Sequence, residues 1–514
     1  MAVAYLLLLA MVKLSLDLLE PSMTYLHRAG VAGLFVQLRY LEQLNLKPPH
    51  GIEWSLTAQK IELDWTGIDR DAIQWLCDQS FQIDCDGLIY FPAIAHSLNF
   101  RQRLDLQNQL RKTFLQHPQF FKSGGKAIKE EREREIKYQT CQNYVHQRGV
   151  DFLCDKNNRL QSEYIKITGW IYPGATVKHY TLGKATQFAE TPTNFFALLF
   201  APLACGYVVI AADFESDAKS QKFQTGIVIP EVTNLEDYLQ RRNPRICDRA
   251  SGWADAGLRF LLKVNVPKHS QPEQLWRCQV ISFGNVKWSE QQQTRISVET
   301  IAIDTQNLER YQSCDRLLHS QNNFPDPLLQ FIAENLIRGR PWWWKFADVW
   351  IGEKAYQNIK SHQQQLSQML KKTEWDTETQ KLFVQVCHQA LRITFAKIYS
   401  RTKAGYYPQI ERELLQLRLD LERCHNAAAF RDFITLFWGK AGTIKILQDR
   451  WEDLLPLTTG TADWKMAKSL VLLSLASYKP ELKPEVIPPA TVDNPASTGT
   501  EQEASRSEIA EQEI

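Results

Sequence analysis

No Cys-x-x-Cys pair occurs among the ten cysteines (Cys77, Cys85, Cys141, Cys154, Cys205, Cys247, Cys278, Cys314, Cys387 and Cys424), and Cys424-His425 has no second pair at zinc-ligand spacing. The thiols therefore read as reduced and mostly buried, the usage of a cytoplasmic protein. Neither Gly124-Gly125 nor Gly169 to Gly174 satisfies the phosphate-binding loop G-x-x-x-x-G-K-S/T. The motifs H-E-x-x-H and G-x-S-x-G are also missing, so helical zinc hydrolases and nucleophile-elbow hydrolases have no support. His96, His117, His146, His179 and His269 lack the adjacent Asp of the His-Asp arrangement in di-metal nucleases. Asp84 with Asp86, or Asp213 with Glu215, have the chemistry to hold Mg²⁺, but such pairs arise by chance in a chain with 58 acids. No metal or other cofactor is expected.

There is no internal repeat and no sign of a membrane partner. Ala2 to Met11 is apolar like the core of a signal peptide, yet no Lys or Arg precedes it, no small-residue cleavage site follows, and it is too short to span a bilayer. Met11-Val-Lys-Leu-Ser-Leu-Asp-Leu alternates like a first strand, so residues 1–10 are expected to be a mis-assigned start with translation beginning at Met11.

What is present is a globular composition, with 44% hydrophobic and 23% charged residues over 514 positions, enough for two or three domains. The net charge of +2 conceals an asymmetry, because Glu481 to Ile514 holds eight acids and two bases, which leaves +8 on residues 1–480. That segment is rich in Pro, Glu, Ser and Thr and is expected to be a disordered acidic tail. A basic body attracts a polyanion, although so small an excess is also compatible with no nucleic-acid role.

The patterning predicts an α+β chain: a mixed α/β N-terminal region over 11–323, then an all-helical bundle over 324–480. A strand at Leu14 to Leu18 precedes a helix over Thr24 to Leu46, with Ser22 or Thr24 as N-cap. Trp54 to Trp65 and Gly87 to Pro92 read as strands around a helix from Asp69 to Gln79, and Phe100 to Phe121 reads as a helix. Lys122 to Lys126 reads as a flexible basic loop or a solvated linker, and the mixed-charge run Lys129 to Lys137 as an exposed helix. Further strands are predicted at 207–210, 226–230, 261–266, 279–283 and 295–303, and helices at 328–337, 345–370, 374–399, 410–437 and 464–478. Residues 324–480 hold 22 Lys plus Arg against 16 Asp plus Glu, so most of the positive excess lies in the bundle.

Four constellations carry candidate nucleic-acid contacts. In the first, His27 and Arg28 stand at a helix entrance with Gly30 and Gly33 on the same helix; they either hold a phosphate, or the glycines serve close packing and Arg28 an ion pair. In the second, the turn Trp170 to Gly174 leads to Lys178 and His179. In the third, Arg241, Arg242 and Arg245 surround a proline break, as phosphate and guanine forks or as an ordinary surface turn. In the fourth, Arg338, Arg340 and Lys345 flank Trp342, Trp343 and Trp344, with Pro341 expected at the first position of a new helix. Three consecutive tryptophans cannot share one helix face, so two are assigned to core packing and one to an interface or stacking role. Lys122, Lys126 and Lys129 complete the candidate set.

The ordered motifs L-D-L-L-E-P-S-M-T-Y-L-H-R-A-G-V-A-G-L (16–34), I-Y-P-G-A-T-V-K-H (171–179), F-F-A-L-L-F-A-P-L-A-C (195–205), D-A-G-L-R-F-L (255–261) and N-L-I-R-G-R-P-W-W-W-K-F (335–346) resemble the large subunit of type I CRISPR surveillance (Cascade) complexes, the Myxan subtype of the Cas-eight family. The resemblance implies a non-catalytic protein at the end of the complex that holds the 5′ handle of the guide RNA. Such a subunit helps read the protospacer-adjacent motif in target double-stranded DNA, starts unwinding, and holds the displaced strand against a helical domain like the separate small subunit. Its implied partners are the backbone and handle-binding subunits and a helicase-nuclease. The residues before Met11 and the acidic tail fall outside the resemblance. Two other readings stay open: a transposition-coupled targeting complex that recruits a transposase adaptor, and a metal-dependent nuclease using Asp213 and Glu215.

Overall fold

The computed structural model describes residues 13–95, 97–131, 134–173, 188–211, 223–242, 247–264, 274–287, 293–318, 325–372, 375–401, 406–459 and 463–479. Residues 1–10, His96, Lys178, His179, Asp213, Glu215, Arg245, His269 and the tail 481–514 lie outside them. The architecture is α+β as expected, with strands and helices mixed before residue 320 and, among the described residues, helices alone from Pro327 to Ser477.

A three-stranded antiparallel sheet, ordered Leu14–Asp17, Lys60–Asp64, Glu53–Leu56, lies beside the first helix, Tyr25–Gln43. The period-2 pattern seats Leu14, Leu16, Ile61 and Leu63 inside. Gly30 and Gly33 serve packing. A Cβ added at Gly30 would meet the Ala197 carbonyl oxygen at 2.0 Å, and one at Gly33 the Phe200 carbonyl oxygen at 2.1 Å, so the helix rests directly on the backbone of Pro192–Leu199 and the turn after it.

The central sheet has five strands in the order Cys247–Ala250, Gly206–Ala211, Phe223–Pro230, Leu275–Lys287, Gln293–Asp304, all antiparallel except the first pair. Alternation divides its side chains between two cores. Tyr207, Ile227, Ile229 and Ile281 join the core of the N-terminal elements. Val208, Ile210, Val228, Val280, Ile301 and Ile303 join a second core that runs through the C-terminal helices to Ala476. The change from sheet to helix near residue 324 thus falls inside a continuous core, and the chain forms one compact unit up to Tyr478.

Several predicted elements differ. The described part of the predicted strand 261–266 is no strand: Leu261–Lys263 completes the helix Trp253–Lys263, whose Ala254, Leu258 and Leu261 are buried at helical spacing. The predicted helix 345–370 is three, Phe346–Trp350, Glu353–Lys360 and Gln363–Lys372. The predicted helix 410–437 is two, Tyr406–Glu422 and Ala427–Ala441, because the Asn426 side chain accepts from the Ala429 N–H at 2.8 Å and starts a new helix. Helix Lys445–Thr459 was not predicted, and Glu378–Arg401 and Trp464–Ser477 lie close to their expected places.

The largest correction concerns residues 121–144. In place of a basic loop and an exposed helix, Phe121–Glu131 and Arg134–Tyr144 pair as a long antiparallel hairpin. The register shifts around Ser123, where Gly125 at φ 124° supplies the bulge.

Candidate nucleic-acid interface

The hairpin has one face on the body and one toward solvent. On the inner face Ile136 and Tyr138 pack against Leu88, Phe100 and Leu104. Lys129 lies with them, its Nζ 2.7 and 2.9 Å from the Asp86 carboxylate and 4.5 Å from the Phe100 ring centre. This contact holds the Asp86 carboxyl below the usual carboxylate range, helped by Arg103, which also pairs with Asp84. Lys129 is therefore a clamp for the hairpin, and the Asp84 and Asp86 pair neutralises cations of its own chain. By the pleat, Lys126, Ile128 and their cross-strand partners Gln139 and Lys137 point outward. Lys122, Lys126 and Lys137 are exposed without an ion-pair partner among the described residues. Lys137 was not among the sequence candidates, because residues 126–131 show no alternation of polar and apolar side chains that would mark a strand.

His27 is fully buried. Its Nδ1 lies 2.9 Å from Thr24 Oγ1 and accepts from the Thr24 N–H at 3.3 Å, a capping box for the first helix. Burial lowers the imidazole to about 4, so it is neutral near pH 7 and offers no charge to a phosphate. Tyr172 donates to Thr24 Oγ1 at 3.0 Å, which joins the first two constellations into one structural cluster. Arg28 is half-buried, with an Nε that finds no partner among the described residues.

Neighbouring arginines of the third constellation part ways. Arg241 pairs with Asp237 at 3.6 Å and lies 5.8 Å from the Trp276 ring centre. Arg242 instead lines a cleft together with Asp248, Arg259 and Lys263.

The fourth constellation is an ordered turn. Helix Pro327–Ile337 ends with Gly339 at φ 63°, the Arg340 N–H bonded to the Asn335 carbonyl at 2.9 Å and the Gly339 N–H to the Leu336 carbonyl at 3.0 Å, a Schellman motif. Pro341 lies in this turn; the next helix begins only at Phe346, after Lys345 at φ 60°. Trp342 and Trp343 are buried and Trp344 is half-exposed, as the two-to-one assignment required. Arg338, Arg340 and Lys345 are exposed on this anchored turn, Arg338 within 3.5 Å of Glu334.

The 255–261 motif is structural. Asp255, fully buried, accepts from the Ser251 N–H at 2.6 Å, from Arg259 Nε at 2.8 Å and from the Tyr311 hydroxyl, while Arg259 reaches Asp315 at 3.1 Å. Among the described residues no group of three or more His, Cys, Asp or Glu is placed to hold a metal ion, and no helix is long and apolar enough to cross a membrane.

The sequence model of the DevT N-terminal domain matches residues 15–199, and that of the DevT C-terminal domain matches residues 371–512. The chain belongs to the DevT family. It is also 25% identical, over 527 aligned positions, to the CRISPR-associated protein Cas8a1/Csx13 of Myxococcus xanthus (strain DK1622), a match that covers 91% of this chain and 88% of that protein. The resemblance carried by the motifs at 16–34 and 335–346 is therefore borne out over nearly the whole length. In this DevT-family chain the N-terminal match contains the hairpin and the buried His27 cluster, and the C-terminal match opens within the helix Gln363–Lys372.

Proposed function

We propose that this chain is the non-catalytic large subunit of an RNA-guided CRISPR surveillance complex acting in the cytoplasm. In that role it recognises the protospacer-adjacent motif in duplex DNA, helps unwind it, stabilises the R-loop and recruits the downstream effector. The observation that carries the reading is the near full-length similarity to Cas8a1/Csx13. The exposed cations of the hairpin, Lys122, Lys126 and Lys137, and those of the anchored turn, Arg338, Arg340 and Lys345, support it as backbone contacts that neutralise phosphates without reading sequence. The basic helices after residue 324 take the part of a small subunit toward the displaced strand, and the N-terminal region that of handle and motif recognition.

The test is binding of the assembled guide complex, with and without this chain, to duplexes bearing a randomised flanking motif at fixed salt. Motif-dependent binding is expected to disappear when the chain is left out. Motif selection that persists without it overturns the recognition role.

A further inference from the structure

A cleft opens at the edge of the central sheet, where the ends of the helices Leu235–Arg241 and Trp253–Lys263 meet the segment Leu203–Val208. Its volume is about 50 Å³. A single water needs on the order of 10–15 Å³ by this measure, so the space suits a few waters or one tetrahedral oxyanion. Three cations line it, Arg242, Arg259 and Lys263, against one carboxylate, Asp248.

The charges are not equally occupied. Lys263 is paired with Asp248, and Arg259 is held by Asp255 at 2.8 Å and Asp315 at 3.1 Å. Arg242, half-buried at the cleft mouth, has no carboxylate partner among the described residues, and its partial desolvation pushes the guanidinium below its ordinary pKa. The C-terminus of the helix before it does not account for this arginine, because Arg241 already stands in the last turn, where a cation meets the dipole. A desolvated cation without a counter-charge destabilises the protein that carries it, and such groups persist where an anion completes them.

We propose that this cleft is a phosphate-binding site in which the Arg242 fork, backed by Lys263, takes two oxygens of one phosphate group. Arginine forks match tetrahedral phosphate in a bidentate manner, and the cleft admits one such group. The phosphate belongs either to a nucleic-acid strand or to a small free phosphate. The site stands on the chemistry of the cleft; only the first of these sources rests on the nucleic-acid reading above.

Thermal unfolding of the full-length chain in inorganic phosphate, against chloride at matched ionic strength, tests the site. The wild-type midpoint rises with phosphate, as for any ligand that binds only the folded state. Arg242→Gln abolishes that rise and, in phosphate-free buffer, melts no lower than wild type, whereas Lys122→Gln on the hairpin keeps the full response. Fluorescence anisotropy with a labelled single-stranded DNA separates the sources. If a strand supplies the phosphate, Arg242→Gln weakens binding about tenfold, the worth of one charge-assisted contact, and inorganic phosphate competes. Unchanged strand affinity with an abolished phosphate response assigns the site to a small free phosphate. A wild-type midpoint that ignores phosphate, an Arg242→Gln midpoint that still responds, or a lower midpoint of that variant in phosphate-free buffer overturns the proposal. None of these readouts uses the guide complex, so they fail or succeed independently of motif recognition.

Discussion

The side-chain amide of Asn335 donates to the backbone carbonyl of Trp344 at 2.9 Å, and also to that of Trp342 at 3.2 Å. One buried amide near the end of a helix thereby fixes the turn that displays Arg340 and Lys345.

Asn335→Leu is expected to strand those two carbonyls and lower stability by about 1–3 kcal/mol. Chemical denaturation measures it. An unchanged midpoint would mean that the Schellman turn and the buried Trp342 and Trp343 hold the segment without the amide.

Two glycine substitutions should act in opposite directions. Gly30→Ala sets a methyl 2.0 Å from the Ala197 carbonyl oxygen, an overpacking expected to cost roughly 1–3 kcal/mol or more. Gly439→Ala, in the helix Ala427–Ala441 with nothing within 4 Å of the added carbon, should stabilise by roughly 0.5–1 kcal/mol. Unfolding midpoints of the two variants check the contrast.

Stability should fall as pH drops through the interval between the ordinary histidine value and the folded values. Burial lowers His27 and His388 to about 4 and His146 to about 3, each from 6.5. Below pH 6.5 the unfolded chain takes up protons that the folded chain refuses, so the stability these neutral rings contribute is complete above 6.5 and declines progressively toward 4 and 3. His146 sits among Phe81, Phe114, Tyr144 and Trp170, with both ring nitrogens lacking a partner among the described residues. His146→Phe is therefore expected to flatten the dependence of the melting temperature on pH, and an identical pH slope would refute this.

Outward and inward lysines of the hairpin should separate function from structure. Replacing Lys126 and Lys137 with Gln is expected to weaken nucleic-acid binding and make the plot of log affinity against log salt shallower by about one unit for each phosphate that is no longer neutralised. The melting temperature should not move. Lys129→Met, which breaks the ion pair with Asp86, should instead increase protease cutting within 121–144.

Breaking the Asp255 node should affect the whole sheet-to-helix junction. Asp255→Asn leaves Arg259 short of its buried counter-charge, a cost of about 3–5 kcal/mol for pairs of this kind. Tyr311→Phe removes one hydrogen bond and is expected to cost about 1 kcal/mol. Parallel urea titrations compare them.

Local patterns were sufficient for much of this. The helix after Thr24, the strands at Trp54 to Trp65, 279–283 and 295–303, the helix at Asp69 and the α+β order all follow from spacing and caps that act over a few residues. Two buried tryptophans out of three matched the expectation, but not for its helical reason, since Trp342 to Trp344 lie in the turn before the helix that starts at Phe346. The hairpin did not follow. Its run of Lys and Glu is as compatible with a solvated helix as with a strand, and what decides is the packing of Ile136 and Tyr138 on Leu88 and Phe100, far away in the chain.

For the candidate site the division is similar. Sequence alone determined which cations exist and the motif order that marks the family, and it offered close packing at Gly30 and Gly33 as one of two readings. Only the tertiary structure decided their roles: His27 is a neutral cap, Lys129 a clamp, Arg241 a partner of Asp237, and Arg242 a cation in a cleft with no carboxylate partner among the described residues. The reason is physical. The charge state and availability of a side chain depend on desolvation and on partners brought from distant positions, and neither is encoded in the few residues around it.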